Sequence, residues 1–107
     1  MWLITTQGFY SVVAHRTRPE HVLVRARARE DLEALREQIP TLELYEDAGA
    51  DYRWRADVHR DHWRGALIQL ADRVDYDNFK NAVAARQGMK REAVYHRVWR
   101  ELLRLGR

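Results

Sequence analysis

Arginine alternates with small or apolar residues in two separate segments of the chain. Residues 22–29 read Val-Leu-Val-Arg-Ala-Arg-Ala-Arg, and residues 52–59 read Tyr-Arg-Trp-Arg-Ala-Asp-Val-His. An extended strand directs successive side chains to opposite faces, so each segment is expected to bury one row and to expose the other. The pattern therefore predicts a sheet face that carries five guanidinium groups, those of Arg25, Arg27, Arg29, Arg53 and Arg55.

A row of guanidinium groups on a sheet is suited to binding anions. Guanidinium is planar and forked, which matches the oxygens of phosphate and carboxylate. Alternate strand residues lie roughly 6.6 Å apart, so the row could follow a phosphate backbone while Tyr10 or Tyr45 stacks on a base. Glu43 and Asp57 offer partners within the sheet. The face is accordingly interpreted as ion-paired and solvated, as a protein interface, or as a nucleic-acid site.

A second candidate binding site combines an aromatic ring, an amide and an ammonium group at Tyr76, Asn78 and Lys80. These residues connect two predicted helices. Capping of the second helix by Asp77 or Asn78, with Phe79 buried, explains most of the segment without a ligand. Lys80 is the residue that capping explains least.

Histidines beside carboxylates form the densest group of potential metal ligands. His59 and His62 are three residues apart and close to Asp57 and Asp61, but the strand pattern ends at His59 and no His-Glu-x-x-His motif is present. Ser11, the only serine, lacks the glycines of a nucleophile elbow. We therefore expect no metal, no cofactor and no catalytic residue. A small hydrolase or nuclease centred on His59, Asp61 and His62 is the alternative, and it predicts thermal stabilisation by a divalent ion.

These residues need a framework of strands and helices to position them. Alternation of apolar residues predicts strands, and apolar spacings of three and four residues predict helices. Asp31 and Asp61 are the expected helix caps. The predicted strands cover residues 2–6, 9–15, 22–29, 41–46 and 52–59, and the predicted helices cover residues 31–39, 61–74, 79–88 and 90–105.

This order of elements is typical of an α+β fold. A ferredoxin-like antiparallel sheet with helices on one face and an added C-terminal helix fits it best. The other sheet face must then be polar or covered by another molecule. Trp2 and Trp99 are expected to extend beyond the core, where aromatic side chains can anchor self-association.

The composition limits the class of protein. A chain of 107 residues with 46% hydrophobic and 33% charged residues is typical of one soluble globular domain, here residues 1–107. The lack of cysteine excludes disulfides, thiolate metal sites and cysteine nucleophiles. No secretory signal and no long apolar run are found, so we expect a cytoplasmic protein without a membrane anchor. A net charge of +3 is modest for a nucleic-acid-binding protein.

Several segments resemble a family of small bacterial proteins of about this length. Members begin with Met-Trp, carry a Tyr-x-Asn-Phe-Lys segment and end in a helix with Tyr and Trp. The resemblance covers nearly the whole chain and implies one intact domain, but no activity is established for the family, so it transfers no catalytic residue. It is carried by residues 1–11, 23–27, 51–55, 76–80 and 95–99.

Together these observations predict a non-catalytic binding or accessory domain that self-associates as a homo-oligomer, with a second protein as a further candidate partner. The alternative is a nucleic-acid-binding protein that uses the arginine-lined sheet face. An enzyme is the less favoured class.

Overall fold

The computed structural model describes residues 1–106, and its contacts group into two compact units, residues 1–75 and a second unit that begins at Tyr76. The first unit contains a sheet and two α-helices, and the second contains a pair of α-helices. Each unit is described by itself. The expectation of a single domain over residues 1–107 stays a prediction.

The helices and strands of the first unit are β1 (Trp2–Ile4), β2 (Phe9–Ala14), β3 (His21–Ala26), α1 (Arg29–Ala34), β4 (Tyr45–Glu46), β5 (Trp54–His59) and α2 (Arg60–Asp72), with a 3₁₀ turn over Leu35–Glu37 after α1. The second unit contains α3 (Phe79–Gln87), α4 (Met89–Leu102) and a 3₁₀ turn over Leu103–Gly106.

The five strands form one antiparallel sheet in the order β1-β2-β3-β5-β4. The predicted α+β class is therefore confirmed, and β1 with β2 and β4 with β5 each form an antiparallel pair. The strand order does not confirm the ferredoxin-like arrangement, because the first three strands form a meander and no helix connects β1 to β2.

The core of the first unit lies between the sheet and its two helices. Val24 and Ala56 are cross-strand partners and fully buried. Leu32 of α1 and Ala66 of α2 are also fully buried, and Trp63 packs in the same cluster. Both helices thus cover one face of the sheet, as predicted, and no helix among the described residues of this unit covers the other.

The strand predicted over residues 22–29 ends early, at Ala26, and Arg29 begins a helix instead. Ala28 keeps an extended backbone, with φ −108° and ψ 133°, although it has no ladder partner. Side chains therefore continue to alternate beyond the end of the strand, which explains why the sequence predicts a longer strand than the structure has. The helix predicted over residues 31–39 is observed as the short α1 followed by its 3₁₀ turn.

The ends of several other strands and helices also differ from the predicted ones. Pairing along β5 begins at Trp54, not at residue 52, and β4 is only two residues long because its ladder with β5 covers two pairs. In the second unit α3 ends at Gln87, and its C-cap, Gly88, has a φ of 93°, in the region that favours glycine; the sequence predicts the end of this helix near Gly88. The helix predicted over residues 90–105 ends at Leu102 and continues as a 3₁₀ turn.

Asp31 is buried in the first turn of α1 and does not cap it, contrary to the prediction. Its Oδ2 accepts a hydrogen bond of 3.0 Å from the backbone N–H of Phe9, and its carbonyl oxygen accepts one of 2.7 Å from Tyr10 Oη. Asp31 thereby fastens α1 to the start of β2. Gly8 lies against it, so close that an added Cβ would be 2.8 Å from the Asp31 Cβ and Cγ.

Replacing Gly8 with alanine is expected to lower the free energy of unfolding by roughly 1–3 kcal/mol, because the new methyl group must displace Asp31 or the turn. Urea unfolding measures the change. Gly49→Ala is the matched control, since nothing lies within 4 Å of a Cβ at that position. Equal stabilities of the two variants would contradict the close packing of Gly8 on Asp31.

Candidate anion-binding face

One row of cross-strand partners crosses all five strands on the sheet face opposite to the core. Its order from β1 to β4 is Trp2, Ser11, Arg25, Arg55 and Tyr45. These side chains point away from the core because their neighbours along the strands, such as Val24 and Ala56, point into it. We call this surface the open face; it comprises the row together with Phe9, Val13, Leu23 and Asp57 on the same side of their strands.

The ring of Tyr52 is buried against the open face and lies outside the main core. Only 5% of Tyr52 is exposed. The guanidinium carbons of Arg25 and Arg27 each lie 4.7 Å from its ring centroid, and the ring of Phe9 lies 6.3 Å away. Phe9 in turn contacts Trp2 edge to face at 5.8 Å. Cation–π contacts and aromatic packing therefore hold this end of the face together.

Three arginines at this end bind only uncharged oxygens. Arg25 donates to Ser11 Oγ at 2.7 Å, Arg27 to the carbonyl oxygen of Asp51 at 3.2 Å, and Arg55 to the carbonyl oxygen of Tyr52 at 3.0 Å. Among residues 1–106, none of the three has a carboxylate oxygen within 4.0 Å. Arginine stays protonated in proteins, so this group keeps three positive charges that no neighbouring side chain neutralises.

The other two predicted arginines are ion-paired. Arg29 Nε lies 2.7 Å from Glu33 Oε1, one turn further along α1, and Arg53 Nε lies 2.8 Å from Glu46 Oε2. Both guanidinium groups also lie near the ring of Trp54, at 5.2 Å and 5.8 Å. Of the five predicted arginines, only Arg25 and Arg55 lie within strands. The predicted set thus separates into three arginines without a carboxylate partner and two with one.

Asp57, which the sequence offers as an arginine partner, binds other groups. His15 Nδ1 accepts from the backbone N–H groups of Thr17 and Arg18, so the proton is on Nε2, which donates to Asp57 Oδ2 at 3.2 Å. Tyr45 Oη donates to the other carboxylate oxygen at 3.3 Å. Burial first, then the charge of Asp57, raises the pKa of Tyr45. These bonds occupy Asp57 and leave the arginines unpaired.

Four histidine rings follow one another beyond Asp57. The ring centroids of His15 and His21 are 6.2 Å apart, those of His21 and His59 are 5.4 Å apart, and those of His59 and His62 are 6.1 Å apart. The last three of these histidines, with Glu43, line a cavity of about 220 Å³. Within residues 1–106, no group of three or more His, Asp or Glu side chains lies close enough together to hold a metal ion.

The residues of the hydrolase hypothesis have structural partners. His59, not Asp61 as predicted, caps α2: its Nδ1 accepts from the backbone N–H of Asp61 at 3.1 Å. The Asp61 carboxylate lies 2.6 Å from Arg64 Nη1. Because His59 already caps a helix and Asp61 is already ion-paired, both side chains are poorly placed for acid or base chemistry. Their geometry therefore gives the hydrolase hypothesis no support.

The three candidate residues of the second unit do not converge on one site. Asn78 Oδ1 accepts from the backbone N–H of Asn81 at 2.9 Å, which confirms the predicted cap of α3. The ring of Tyr76 contacts that of Phe79 at 5.9 Å. Lys80 instead approaches α4, where its Nζ lies 3.3 Å from His96 Nδ1 and 4.5 Å from the ring centroid of Trp99.

Sequence reasoning missed the position of Tyr52. Because Tyr52 starts an alternating segment, the sequence predicts it to be a strand residue. In the structure it precedes β5, and its ring packs against Arg25. The only signal was its large size next to the turn at residues 47–51. The approach of Lys80 to α4 was also missed, although the helical spacing of His96 and Trp99 places both rings on one side of α4.

Comparison with known proteins found no match: no family model, no curated protein and no solved structure is significantly similar to this chain. No helix within residues 1–106 combines the length and the apolar character that crossing a membrane requires.

The stability of the first unit is expected to fall when the pH drops below about 6.5, because of His21. Burial, and then the charges of Arg18, His59 and His15, lower the pKa of His21, while Asp57 opposes the shift. A histidine with a lowered pKa binds fewer protons in the folded than in the unfolded chain. Its contribution to stability is therefore complete above pH 6.5 and is lost as the pH falls through the folded pKa.

Urea unfolding at about pH 7 and about pH 5 tests this, and His21→Gln should show a smaller loss than the unaltered protein. His62→Gln is the control, since His62 is an exposed histidine of α2. It should keep the pH dependence of the unaltered protein. A His21→Gln variant with an unchanged pH dependence would be inconsistent with the assignment.

Proposed function

We propose that this protein is a non-catalytic binding domain that acts through its open face and binds single-stranded nucleic acid there. The observation that carries the proposal is the group of three arginines, Arg25, Arg27 and Arg55, that have no carboxylate partner and pack around Tyr52. We also propose that it acts in the cytoplasm, and that it self-associates.

The charges of the open face favour a phosphate-bearing ligand. An apolar protein partner would have to bury three guanidinium groups without neutralising them, which is costly. Phosphate oxygens accept the remaining N–H donors and neutralise the charge at the same time. The guanidinium groups of Arg29 and Arg53, already neutralised by carboxylates, add little to such a site.

The aromatic side chains of the row favour a single strand over a duplex. Trp2 is 72% exposed at one end of the row, and Tyr45 is exposed at the other. Neighbouring strands lie about 4.8 Å apart, so the two rings are separated by roughly 19 Å, with the arginines between them. Exposed rings can stack on unpaired bases, whereas the bases of a duplex are stacked on each other.

Neutralising two unpaired arginines is expected to weaken oligonucleotide binding more than neutralising two paired ones. One variant combines Arg27→Gln and Arg55→Gln, and the other combines Arg29→Gln and Arg53→Gln. Both variants lose two positive charges, so overall charge cannot explain a difference. Fluorescence anisotropy of a labelled oligothymidylate at several salt concentrations should give a salt slope smaller by about 0.7 for each phosphate that is no longer neutralised, in the first variant only.

Two results would contradict the proposal. Equal effects in the two variants would show that binding depends on net charge and not on the open face. Lack of oligonucleotide binding by the unaltered protein at low salt would refute the proposed ligand. Circular dichroism of each variant checks that the fold is retained.

Trp2→Leu tests the stacking part of the proposal separately. Loss of one stacked base is expected to raise Kd by a factor of about 5 or more, since base–aromatic stacking contributes about 1–3 kcal/mol. The salt slope should stay the same, because no charge is removed. An unchanged Kd would exclude Trp2 as a stacking platform, and Trp99→Leu in the second unit serves as the control for loss of an exposed indole.

A further inference from the structure

Three histidines continue the open face beyond the arginines. His21 and His59 are cross-strand partners on β3 and β5, and the backbone N–H of His15 donates to the carbonyl oxygen of His21 at 3.3 Å. His21 is four residues from Arg25 along β3, an even number, so the two side chains point to the same side of the sheet. We call His15, His21 and His59 the histidine triplet. Its middle member lies roughly 13 Å along β3 from Arg25.

The rings of the histidine triplet contact one another, with His21 in the middle. The ring centroid of His21 is 6.2 Å from that of His15 and 5.4 Å from that of His59. The Nδ1 atom of His21 is buried and has no hydrogen-bond partner among the described residues. No acceptor within the described part of the fold therefore stabilises a proton on that atom.

The charged groups around His21 keep its ring neutral at pH 7. Partial burial, and after it the positive charge of Arg18, lowers the pKa of His21, while Asp57 opposes the shift. Asp57 is already bonded to His15 and Tyr45. The ionisable groups that act on His21 or line its cavity come from the end of β2, β5, α2, the turn before β3 and the segment before β4: His15, Asp57, His59, His62, Arg18 and Glu43.

We infer that the histidine triplet is a second anion subsite of the open face, where a phosphate of the bound strand neutralises His21 once its ring is protonated. The inference deepens the proposed function and rests on it, because the same strand must reach the triplet from the arginines. A protonated imidazole donates charge-assisted hydrogen bonds to phosphate oxygens, whereas a neutral ring offers them no charge. Oligonucleotide binding is therefore expected to strengthen as the pH falls.

The two subsites bind different phosphates of one strand. Leu23 and Asp57 lie between the arginines and the histidine triplet on the open face, and neither offers a phosphate a positive charge. A strand that is held at the arginines brings its next phosphates to the triplet at a high effective concentration, an advantage that a free phosphate lacks.

Oligothymidylate binding, measured by fluorescence anisotropy at about pH 7 and about pH 5, tests the inference. The Kd of the unaltered protein is expected to fall by a factor of about 5 or more at the lower pH, the usual scale of coupling between two sites. The salt slope should grow by about 0.7, because one more phosphate is neutralised. His21→Gln should lose both changes.

Two histidines outside the triplet provide matched controls. His62→Gln removes a histidine that lines the same cavity, and His96→Gln removes one from the second unit. Both variants should keep the pH dependence of the unaltered protein. His21→Arg carries a permanent charge and should show at pH 7 the steeper salt slope that the unaltered protein shows at pH 5. Circular dichroism at both pH values checks that each variant is folded.

Inorganic phosphate is the second probe, and it replaces chloride at equal ionic strength. At pH 5 it should leave the NMR signals of the His21 ring in place, whereas the oligonucleotide should shift them. Equal shifts with both probes would show that the triplet takes free phosphate, and would overturn its connection to the strand.

The outcomes separate this inference from the proposed function. Equal Kd and salt slope at both pH values would refute the histidine subsite and leave binding at the arginines standing. A pH dependence that His21→Gln retains, or that His62→Gln and His96→Gln also remove, would do the same. Absence of oligonucleotide binding at both pH values would refute both.

Discussion

The packing of Arg25 and Arg27 on the buried ring of Tyr52 is the interaction on which the open face depends. An aromatic ring stabilises a guanidinium group without neutralising it, whereas a carboxylate does both. The Nε of Arg25 is buried and has no acceptor among the described residues. An unsatisfied donor of this kind costs roughly 1–3 kcal/mol, so stability alone does not account for arginine at this position.

The open face is chemically divided, and Asp57 marks the division. On one side lie the unpaired arginines and the aromatic rings; on the other lie the histidines that follow His15. His15 and Tyr45 occupy both oxygens of the Asp57 carboxylate. Had Asp57 bound Arg55 instead, the face would have lost one of its three free charges. Local hydrogen bonding, and not the modest net charge of +3, therefore determines where the sheet carries positive charge without a carboxylate partner.

Much of the fold could be predicted from the sequence, because alternation and helical spacing report which side chains face the core. They located β3 and β5, and they placed the cap of α3 at Asp77 or Asn78, of which Asn78 is the one observed. They could not give the end of β3, because an extended backbone up to Ala28 alternates whether or not it has a ladder partner. Nor could they separate paired from unpaired arginines, since Glu33 and Glu46 become partners only through the start of α1 and the register of β4. The burial of Tyr52 outside the core depends on tertiary contacts that no periodicity reports.

Nucleic acid is proposed to bind at the open face and not at the second unit. A ¹H–¹⁵N NMR titration with a short oligothymidylate at low salt tests it most directly, because side-chain signals report each position separately. Binding at the open face should shift the signals of the Trp2 indole N–H and of the Nε–H of Arg27 and Arg55 together, while the signal of the buried Trp63 indole should stay in place. Shifts confined to Trp99 and the second unit, or no shifts at all, would contradict it.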